Sequence, residues 1–306
     1  MTYSLKNVPW HILVFLLPGF VIYTLFSALP LLDTMILSFF RDSSLGREFI
    51  GLANYQHVLT DPNMSAEFWN ALWNNVKFFL IHVFVQNPIG LLLAALLSLK
   101  DLRGARTYRT LIFMPTLLSV VIIGFIWQLI LSPLWGVSTT IMGAVGLEGW
   151  FQPWLGKESS ALITLALISV WQFVGIPMML IYASLLAIPD ELLDAAYVDG
   201  ASPMRIFWQI KLPLILPTLG LVTILTFIGN FNAFDLIYAV KGALAGPNFS
   251  TDILGTYFYR TFFGFQSNLG SPTLGATVAT LMFLIILAGV MVYFYIVQRR
   301  LHRYPM

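Results

Sequence analysis

The chain has no cysteine among its 306 residues, and only 10% of those residues carry a formal charge. The absence of cysteine excludes a disulfide framework and a thiolate metal site. Soluble proteins contain about 25% charged residues, whereas 58% of this chain is hydrophobic. Several apolar runs are each about 20 residues or longer, which is enough to cross a bilayer as a helix. These properties predict an all-α, polytopic membrane protein.

The motifs of nucleotide-binding and hydrolytic enzymes are also missing. Gly156-Lys157 is followed by Glu158 and has Phe151 where the phosphate-binding motif needs its first glycine. No Ser/His/Asp order, H-E-x-x-H pattern or paired carboxylates point to hydrolysis. His82 lies inside an apolar run and is expected to hydrogen-bond a neighbouring helix. We therefore expect a chain that is not an enzyme and binds no metal or cofactor itself.

Six membrane spans can be delimited, and an even number places both termini on the same side of the membrane. The spans cover roughly residues 11–39, 74–99, 108–131, 161–188, 218–240 and 272–297 of one transmembrane domain. Ten Lys and Arg residues fall on the side of the termini and six fall elsewhere, which together make the 16 of the chain. The ten are Lys6, Lys100, Arg103, Arg106, Arg109, Arg205, Lys211, Arg299, Arg300 and Arg303. This bias predicts that both termini lie in the cytoplasm.

A long polar segment between the fourth and fifth spans is the most informative part of the chain. It runs for about 28 residues, from Pro189 to Leu216, where a simple connection needs only a few. Asp190 and Glu191 follow the proline and place negative charge at the start of a predicted helix. Gly200 can end that helix, because glycine adopts the left-handed conformation without strain.

A second amphipathic stretch, Pro203 to Ile210, follows this glycine and is predicted to stop before Pro213 and Pro217. A bent pair of helices at the membrane surface has a shape suited to docking into another protein. The alternative is an amphipathic helix that lies on the lipid surface.

The segment resembles the EAA loop of binding-protein-dependent ABC importer permeases, whose pattern is E-A-A-x-x-D-G-A, then Phe, then Leu-Pro. Here Asp194 replaces the usual glutamate, which keeps the charge on a shorter side chain. The resemblance implies that the loop is a coupling helix that fits a groove on a separate ATPase subunit. The coupling residues it implies are Glu191, Asp194, Ala195, Ala196, Asp199, Gly200, Ala201, Phe207, Leu212 and Pro213.

Two further elements resemble the sugar-importing branch of that family. Residues Phe49 to Tyr55 match its F-x-G-L-x-N-Y element, and Tyr259 to Phe263 resemble the end of its last external loop. The same loop keeps Gly246-Pro247 but lacks the glycine run of typical members. The resemblance covers nearly the whole chain, is strongest over residues 171–240, and implies a maltose-type permease for a di- or oligosaccharide or a polyol.

Polar residues within the spans indicate a translocation path, because such groups are costly in hydrocarbon unless they face a cavity or a partner. Thr226, Asn230 and Ala233 are spaced i, i+4, i+7 and so share one helical face. An amide for hydroxyl groups and an aromatic ring for a sugar face suit a carbohydrate. The resemblance places the mid-membrane site here, with Asn230 as the best match. The predicted substrate residues are Asn230, Thr226, Ala233, Trp171, Gly175, Met178, Thr116 and Ser119.

Other polar residues of the spans have an alternative role in helix packing, where amides and small residues hold helices together. For Asn232 and Asp235, packing or an interface with a second permease is expected at least as much as substrate contact. The side chains of Gln86 and Gln128 are expected to hydrogen-bond the backbone groups that a helix kink leaves unpaired. Gly175 together with Pro177 is expected to kink or loosen the fourth span.

The resemblance implies the type I ABC importer permease fold with six transmembrane helices, acting as the first of two unlike permease subunits. Its implied partners are the second homologous permease, two ATPase subunits that carry ATP and Mg, an extracytoplasmic solute-binding protein, a carbohydrate and membrane lipid. No nucleic-acid partner is expected, and the implied location is the bacterial inner membrane. The alternatives are an ABC permease for a non-sugar solute and a secondary transporter acting alone. A secondary transporter would need internal repeats and charges for ion coupling.

Overall fold

The computed structural model describes residues 10–43, 46–99, 102–146, 149, 151–266 and 268–298. Five residues of the charge count, Lys6, Lys100, Arg299, Arg300 and Arg303, lie outside this range. The helices are α1 (Trp10–Tyr23), α2 (Leu29–Leu37), α3 (Ala53–Thr60), α4 (Pro62–Ile81), α5 (Asn87–Leu97), α6 (Ala105–Phe113), α7 (Val120–Ile130), α8 (Val137–Ala144), α9 (Glu158–Phe173), α10 (Gly175–Leu186), α11 (Asp190–Val198), α12 (Pro203–Ile206), α13 (Leu212–Phe231), α14 (Asp235–Lys241), α15 (Leu254–Phe263) and α16 (Pro272–Val292).

Short non-α segments complete the secondary structure. π-Helical turns occupy Thr24–Ala28, His82–Gln86, Phe207–Lys211 and Tyr293–Gln298, and a 3₁₀ turn occupies Met114–Leu117. The strands β1 (Phe40–Ser43) and β2 (Gly46–Phe49) form an antiparallel hairpin with Phe40 opposite Phe49. A second, shorter hairpin pairs β3 (Gly264–Phe265) with β4 (Asn268–Leu269).

Helices long and apolar enough to cross a membrane dominate the part of the chain that the structure describes. Four are candidate spans on their own: Val14–Leu37, Pro62–Leu97, Pro203–Lys241 and Pro272–Tyr295. Two are bent pairs: Ala105–Leu117 with Val120–Ile130, at 95°, and Glu158–Phe173 with Gly175–Leu186, at 43°. Counting each bent pair as one span gives six. The predicted all-α polytopic class is confirmed, and the kink expected at Gly175 is confirmed by the 43° bend.

Helix α4 begins 12 residues before the start predicted for the second span at residue 74. The cause is local: Asp61 Oδ1 accepts hydrogen bonds from the backbone N–H groups of Asn63 at 3.0 Å and Met64 at 3.1 Å. Pro62 occupies the first helical position, where its missing N–H costs nothing. The helix start is therefore set by a cap and a proline, while hydropathy alone detects only its apolar part.

The chain divides into two compact units, and the smaller comprises the described residues of Met1–Ser65 and Thr261–Leu281. Within it, Asn54 is buried and donates through Nδ2 to the carbonyl oxygens of Ser38 at 2.9 Å and Phe40 at 2.7 Å. The Tyr55 hydroxyl lies 2.6 Å from Ser38 Oγ, and Thr277 Oγ1 donates to Ser38 O at 3.3 Å. The Asn-Tyr of the Phe49 to Tyr55 element therefore fastens α3 to the end of α2.

The larger unit comprises the described residues of Ala66–Arg260 and Met282–Met306. It contains two apolar cores. One gathers residues of α4, α7, α9 and α14, including the fully buried Leu165 and Ile237. The other gathers residues of α5, α10 and α13, including the fully buried Met178 and Ile181. Helices α5 and α10 approach closely, because a Cβ on Gly90 would lie only 3.1 Å from the ring of Pro177.

The prediction that helix ends before Pro213 and Pro217 is wrong. The chain stays helical from α12 through the π-helical turn Phe207–Lys211 into α13, with Pro213 in the first turn of α13 and Pro217 inside it. The N–H of Leu212 bonds to the carbonyl of Phe207, five residues earlier. A π-helical turn inserts one wide turn into a helix. Pro213 follows this turn directly, so its missing N–H falls where the regular bonding to the fourth residue back is already interrupted.

Candidate functional site

A cavity of about 460 Å³ lies within the larger unit. Its wall is mostly apolar with a few amide, hydroxyl and imidazole groups, which is the usual character of a small-molecule site. The lining residues are Phe78, His82, Gln86, Val120, Ser169, Phe173, Ile176, Pro177, Leu180, Val222, Leu225, Thr226, Gly229, Asn230, Asn232, Ala233, Phe234, Asp235, Leu236 and Ile237. They come from α4 and its π-helical turn, α7, α9, α10, and the α13–α14 region.

The cavity is lined by all three residues of the predicted face of the fifth span: Thr226, Asn230 and Ala233. Asn230 is 5% exposed and donates from Nδ2 to Thr226 O at 2.7 Å. Thr226 Oγ1 donates to Val222 O at 2.8 Å and lies 3.2 Å from Asn87 Oδ1. The buried Asn75 donates to the backbone oxygen of Asn230 at 2.8 Å. The side-chain amide of Asn230 is thus held by its own helix, and its backbone carbonyl is held by α4.

The remaining predicted substrate residues are not among the lining residues. Trp171 is 44% exposed and packs edge-on against Trp127 with ring centroids 5.6 Å apart. Gly175 abuts α6, since a Cβ there would lie 2.9 Å from Phe113 Cα. Met178 is fully buried in the core of α5, α10 and α13.

Two predicted residues belong to the sharp bend between α6 and α7. Thr116 Oγ1 donates to Gln172 O at 2.9 Å. Ser119 is exposed at the position before α7, and its carbonyl oxygen accepts from Ile123 N at 3.0 Å. Substrate contact therefore stays a prediction, which the cavity does not support, for five residues: Trp171, Gly175, Met178, Thr116 and Ser119.

Sequence reasoning missed the contribution of the second span to the cavity. His82, Gln86 and, from the fourth span, Ser169 line it. His82 Nε2 lies 3.0 Å from Ser169 Oγ, which confirms the expected hydrogen bond to a neighbouring helix. Gln86, expected to satisfy a kink, lies at the end of the π-helical turn His82–Gln86, and its Oε1 has no hydrogen-bond partner among the described residues. Such turns occur often at functional sites.

Asn232 and Asp235 also line the cavity, although helix packing or a subunit interface was expected for them at least as much. Both are exposed. The reason is a break in the fifth span: α13 ends at Phe231 and α14 begins at Asp235, so the intervening residues leave the helical face on which the prediction was based.

The polar segment after the fourth span has the predicted helix–glycine–helix form at its start. Helix α11 begins at Asp190 directly after Pro189, and Gly200 has φ +75°, which confirms the predicted break. Three backbone bonds close the helix end: Asp199 N to Ala195 O, Gly200 N to Tyr197 O and Ala201 N to Ala196 O, at 3.0, 3.0 and 2.9 Å. Ser202 then caps α12 by accepting from Arg205 N at 3.3 Å.

Most of this segment is exposed, and large apolar side chains are included in the exposed surface. Val198 is 87% exposed, and Leu192, Tyr197, Met204 and Trp208 are also exposed. Of the ten predicted coupling residues, Glu191, Asp194, Ala195, Asp199 and Gly200 are exposed, Ala196 is buried, and Ala201, Phe207, Leu212 and Pro213 are half-buried. Exposed aromatic and aliphatic groups next to carboxylates are typical of a surface that binds another protein or a membrane surface.

A second polar centre, which sequence reasoning missed, surrounds Arg260 on α15. Its guanidinium contacts both carboxylate oxygens of Asp252, at 3.2 and 2.8 Å, and Glu67 Oε2 at 2.9 Å. It also lies over the ring of Phe249, 4.9 Å from the centroid. Asp252 is fully buried. We call these residues, together with Asn74, the Arg260 cluster.

Burial and ion pairing have opposite effects on the pKa values of the Arg260 cluster. Burial raises the pKa of the Asp252 carboxyl, while the hydrogen bonds and charge of Arg260 act in the opposite direction. Burial alone would lower the pKa of Arg260, but Asp252 and Glu67 raise it overall. Asn74 Nδ2 adds bonds to Ser250 O at 3.2 Å and Asp252 O at 2.9 Å.

Among the described residues, no group of three or more His, Cys, Asp or Glu could hold a metal ion.

The combination of apolar spans, an internal cavity and an exposed helix–glycine–helix surface agrees with the comparisons with known proteins. Residues 86–303 match the family described as "Binding-protein-dependent transport system inner membrane component". The chain belongs to this family. It is 33% identical over 282 residues to a probable ABC transporter permease protein, YurN, of Bacillus subtilis, covering 90% of this chain and 93% of that protein.

Further relatives extend the comparison. The trehalose/maltose transport system permease protein MalF of Thermococcus litoralis is 30% identical over 280 residues, covering 91% of this chain and 90% of that protein. The crystal structure of a bacterial alginate ABC transporter, in complex with a periplasmic protein bound to an alginate pentasaccharide, contains a chain with a TM-score of 0.81. That chain is 19% identical, and the match covers 95% of both chains, so it establishes the shared permease fold.

Proposed function

We propose that this chain is a translocation subunit of an ATP-driven importer for a carbohydrate, either a di- or oligosaccharide or a polyol. The observation that carries the proposal is the cavity, in which the amides of Asn230 and Gln86 and the hydroxyl of Thr226 lie in an otherwise apolar wall. Hydroxyl-rich ligands pair with amides and hydroxyls, while their C–H faces pack on apolar side chains. The names of the relatives, which include a trehalose/maltose permease, support the same substrate class.

The exposed segment around Gly200 is the proposed docking site for an ATPase. The chain itself has no phosphate-binding motif, so ATP and Mg are assigned to two partner ATPase subunits. A solute-binding protein delivers the sugar from outside, and a second, homologous permease completes the channel. Both termini and the Gly200 segment face the cytoplasm, where ATP is available. The chain then acts by alternating access and catalyses no reaction itself.

Uptake by the reconstituted transporter tests the substrate site. A panel of labelled disaccharides, oligosaccharides and polyols first identifies a transported sugar. Asn230→Leu is then expected to cut its uptake strongly, because losing a hydrogen bond in a buried site costs about 1–3 kcal/mol. Assembly and basal ATP hydrolysis are expected to persist.

Two threonines of α13 supply a matched control. Thr226 lines the cavity and Thr223 does not, yet each donates to the carbonyl oxygen four residues earlier at 2.8 Å. Thr226→Val is expected to reduce uptake and Thr223→Val to leave it unchanged. Normal transport in Asn230→Leu, or equal losses in the two threonine variants, would mean that these groups only pack helices.

Orientation is tested separately, because the chain has no cysteine. Single cysteines placed at Ser202 and Ser43 would be treated with an impermeant thiol reagent in intact cells. Labelling at Ser43 and protection at Ser202 are expected. The reverse pattern would overturn the proposed topology.

A further inference from the structure

The described wall of the cavity carries one negative charge and no positive one. Among the described residues that line it, Asp235 is the only one with a formal charge, and none is Lys or Arg. Asp235 lies in the first turn of α14 and is exposed. A ligand in the cavity therefore meets one carboxylate and no guanidinium or ammonium group.

His82 does not supply a positive charge either. Its Nδ1 lies 2.7 Å from the carbonyl oxygen of Phe78, which can only accept, so Nδ1 carries the proton. Its Nε2 lies 3.0 Å from Ser169 Oγ, whose hydroxyl can donate to it. Both ring nitrogens are thus satisfied in the neutral imidazole, and the residue is 3% exposed, where a charge would be costly.

The amides beside the cavity add no positive charge. Gln86 and Asn230 are 6% and 5% exposed, and their side-chain oxygens Oε1 and Oδ1 are buried without a hydrogen-bond partner among the described residues. A neutral amide group has both donors and an acceptor and can pair with a sugar hydroxyl. Asp235 is therefore the group of the wall that disfavours an anion.

We infer that the cavity selects its substrate by charge: it takes uncharged, hydroxyl-rich sugars and rejects their acidic counterparts, with Asp235 as the charge-selecting residue. The inference rests on the proposed function and narrows its substrate class. It also separates this chain from the alginate transporter, whose substrate is described as an acidic polysaccharide. The shared fold is accordingly compatible with cavities of different charge preference.

The test measures ligand binding to the assembled transporter in lipid nanodiscs without its binding protein, so that only the membrane cavity selects. The probes are matched pairs in which one CH₂OH group is replaced by a carboxylate: glucose and glucuronate, and galactose and galacturonate. Saturation-transfer NMR detects weak binding in each pair. The wild-type protein is expected to bind a neutral member about three- to tenfold more tightly than its acid, the range expected for one partly screened charge.

Asp235→Asn removes the charge with little change in shape and is expected to erase most of that difference while neutral binding stays within about twofold. Glu158→Gln is the matched control, because Glu158 is an exposed carboxylate in the first turn of α9 and does not line the cavity. It is expected to leave the preference unchanged. Raising the salt concentration is expected to narrow the wild-type preference, since screening weakens exposed charges.

The outcomes separate the inference from the proposed function. Equal binding of sugar and acid by the wild-type protein, or a preference that persists in Asp235→Asn, would overturn the charge-selecting role. A wild-type preference that does not respond to salt would overturn it as well, even if the variant failed to fold. If no neutral probe binds and the transporter imports no labelled sugar, the proposed function itself fails.

Discussion

The Arg260 cluster and the segment around Gly200 belong to the same compact unit but are built in opposite ways. In the cluster, Asp252 is fully buried and both of its oxygens are paired with one guanidinium. In the segment, Val198 is 87% exposed, and the side-chain bonds of Arg205 and Trp208 reach only residues four positions away, on the same helical stretch. The cluster is complete within the chain, whereas the exposed segment leaves apolar surface available to a partner.

Removing Arg260 should give the largest effect, because it leaves the buried Asp252 carboxylate without its counter-charge. Arg260→Leu is expected to lower the free energy of unfolding by about 3–5 kcal/mol. Denaturant titration of the purified complex in detergent measures the change. Arg205→Leu is the control from the exposed segment, where loss of an exposed bond to Gln209 should cost less than about 0.5 kcal/mol.

Adding Asp252→Asn to Arg260→Leu sharpens the comparison. The double variant no longer buries an unpaired charge, so it should recover part of the lost stability. Equal destabilisation in the single and double variants would show that Arg260 acts by packing on Phe249 rather than by pairing with the carboxylate.

A change at Gly200 should have an intermediate effect on stability and a large one on coupling. No atom lies within 4 Å of a Cβ built at this glycine, so Gly200→Val is limited by backbone strain at φ +75°. That strain costs about 1–2 kcal/mol. We expect ATP hydrolysis that no longer responds to the sugar-loaded binding protein, measured on the purified transporter.

Gly200→Asn is the matched variant, because asparagine tolerates the left-handed conformation. It should retain most of the response to the binding protein. If Gly200→Asn and Gly200→Val lose coupling equally, the ATPase needs close approach to the glycine, and backbone freedom is not the limiting factor.

The smallest effect on stability is expected at Val198. Val198→Ser should change the free energy of unfolding by less than about 0.5 kcal/mol, because this side chain is almost fully exposed. It should nevertheless weaken retention of the ATPase subunits during purification. Unchanged ATPase retention would show that this apolar surface does not contact the partner.

The sequence predicted the exposed segment far better than the buried cluster, for a physical reason. The start of α11 at Asp190 and the break at Gly200 depend on charges and backbone preferences of a few neighbouring residues. Arg260 pairs with Glu67, which is 193 positions away in the chain. Such a pairing depends on how the spans pack. The available signal was a group of asparagines in α4, Asn70, Asn74 and Asn75, which are polar residues next to or within the predicted second span.

The cavity was predicted less well than the exposed segment and better than the Arg260 cluster. A helical period was sufficient to group Thr226 with Asn230, because α13 is regular there. It was not sufficient for Asp235, which follows a break in the helix, nor for Gln86, whose direction depends on a π-helical turn. On the fourth span the bend at Gly175 brings Phe173, Ile176 and Pro177 to the cavity. A single uninterrupted period cannot describe a helix bent by 43°.

The π-helical turn Phe207–Lys211 determines how far the cavity-lining face of α13 is rotated about the helix axis relative to the exposed segment. Helical structure runs from Pro203 to Thr226, a distance of about 35 Å at 1.5 Å per residue. Each residue added to or removed from a helix rotates everything beyond it by about 100°. Restoring an ordinary turn by deleting one residue here would leave both ends intact but direct Thr226 and Asn230 away from the cavity. Chain length in this turn is thus as strict a requirement as residue type.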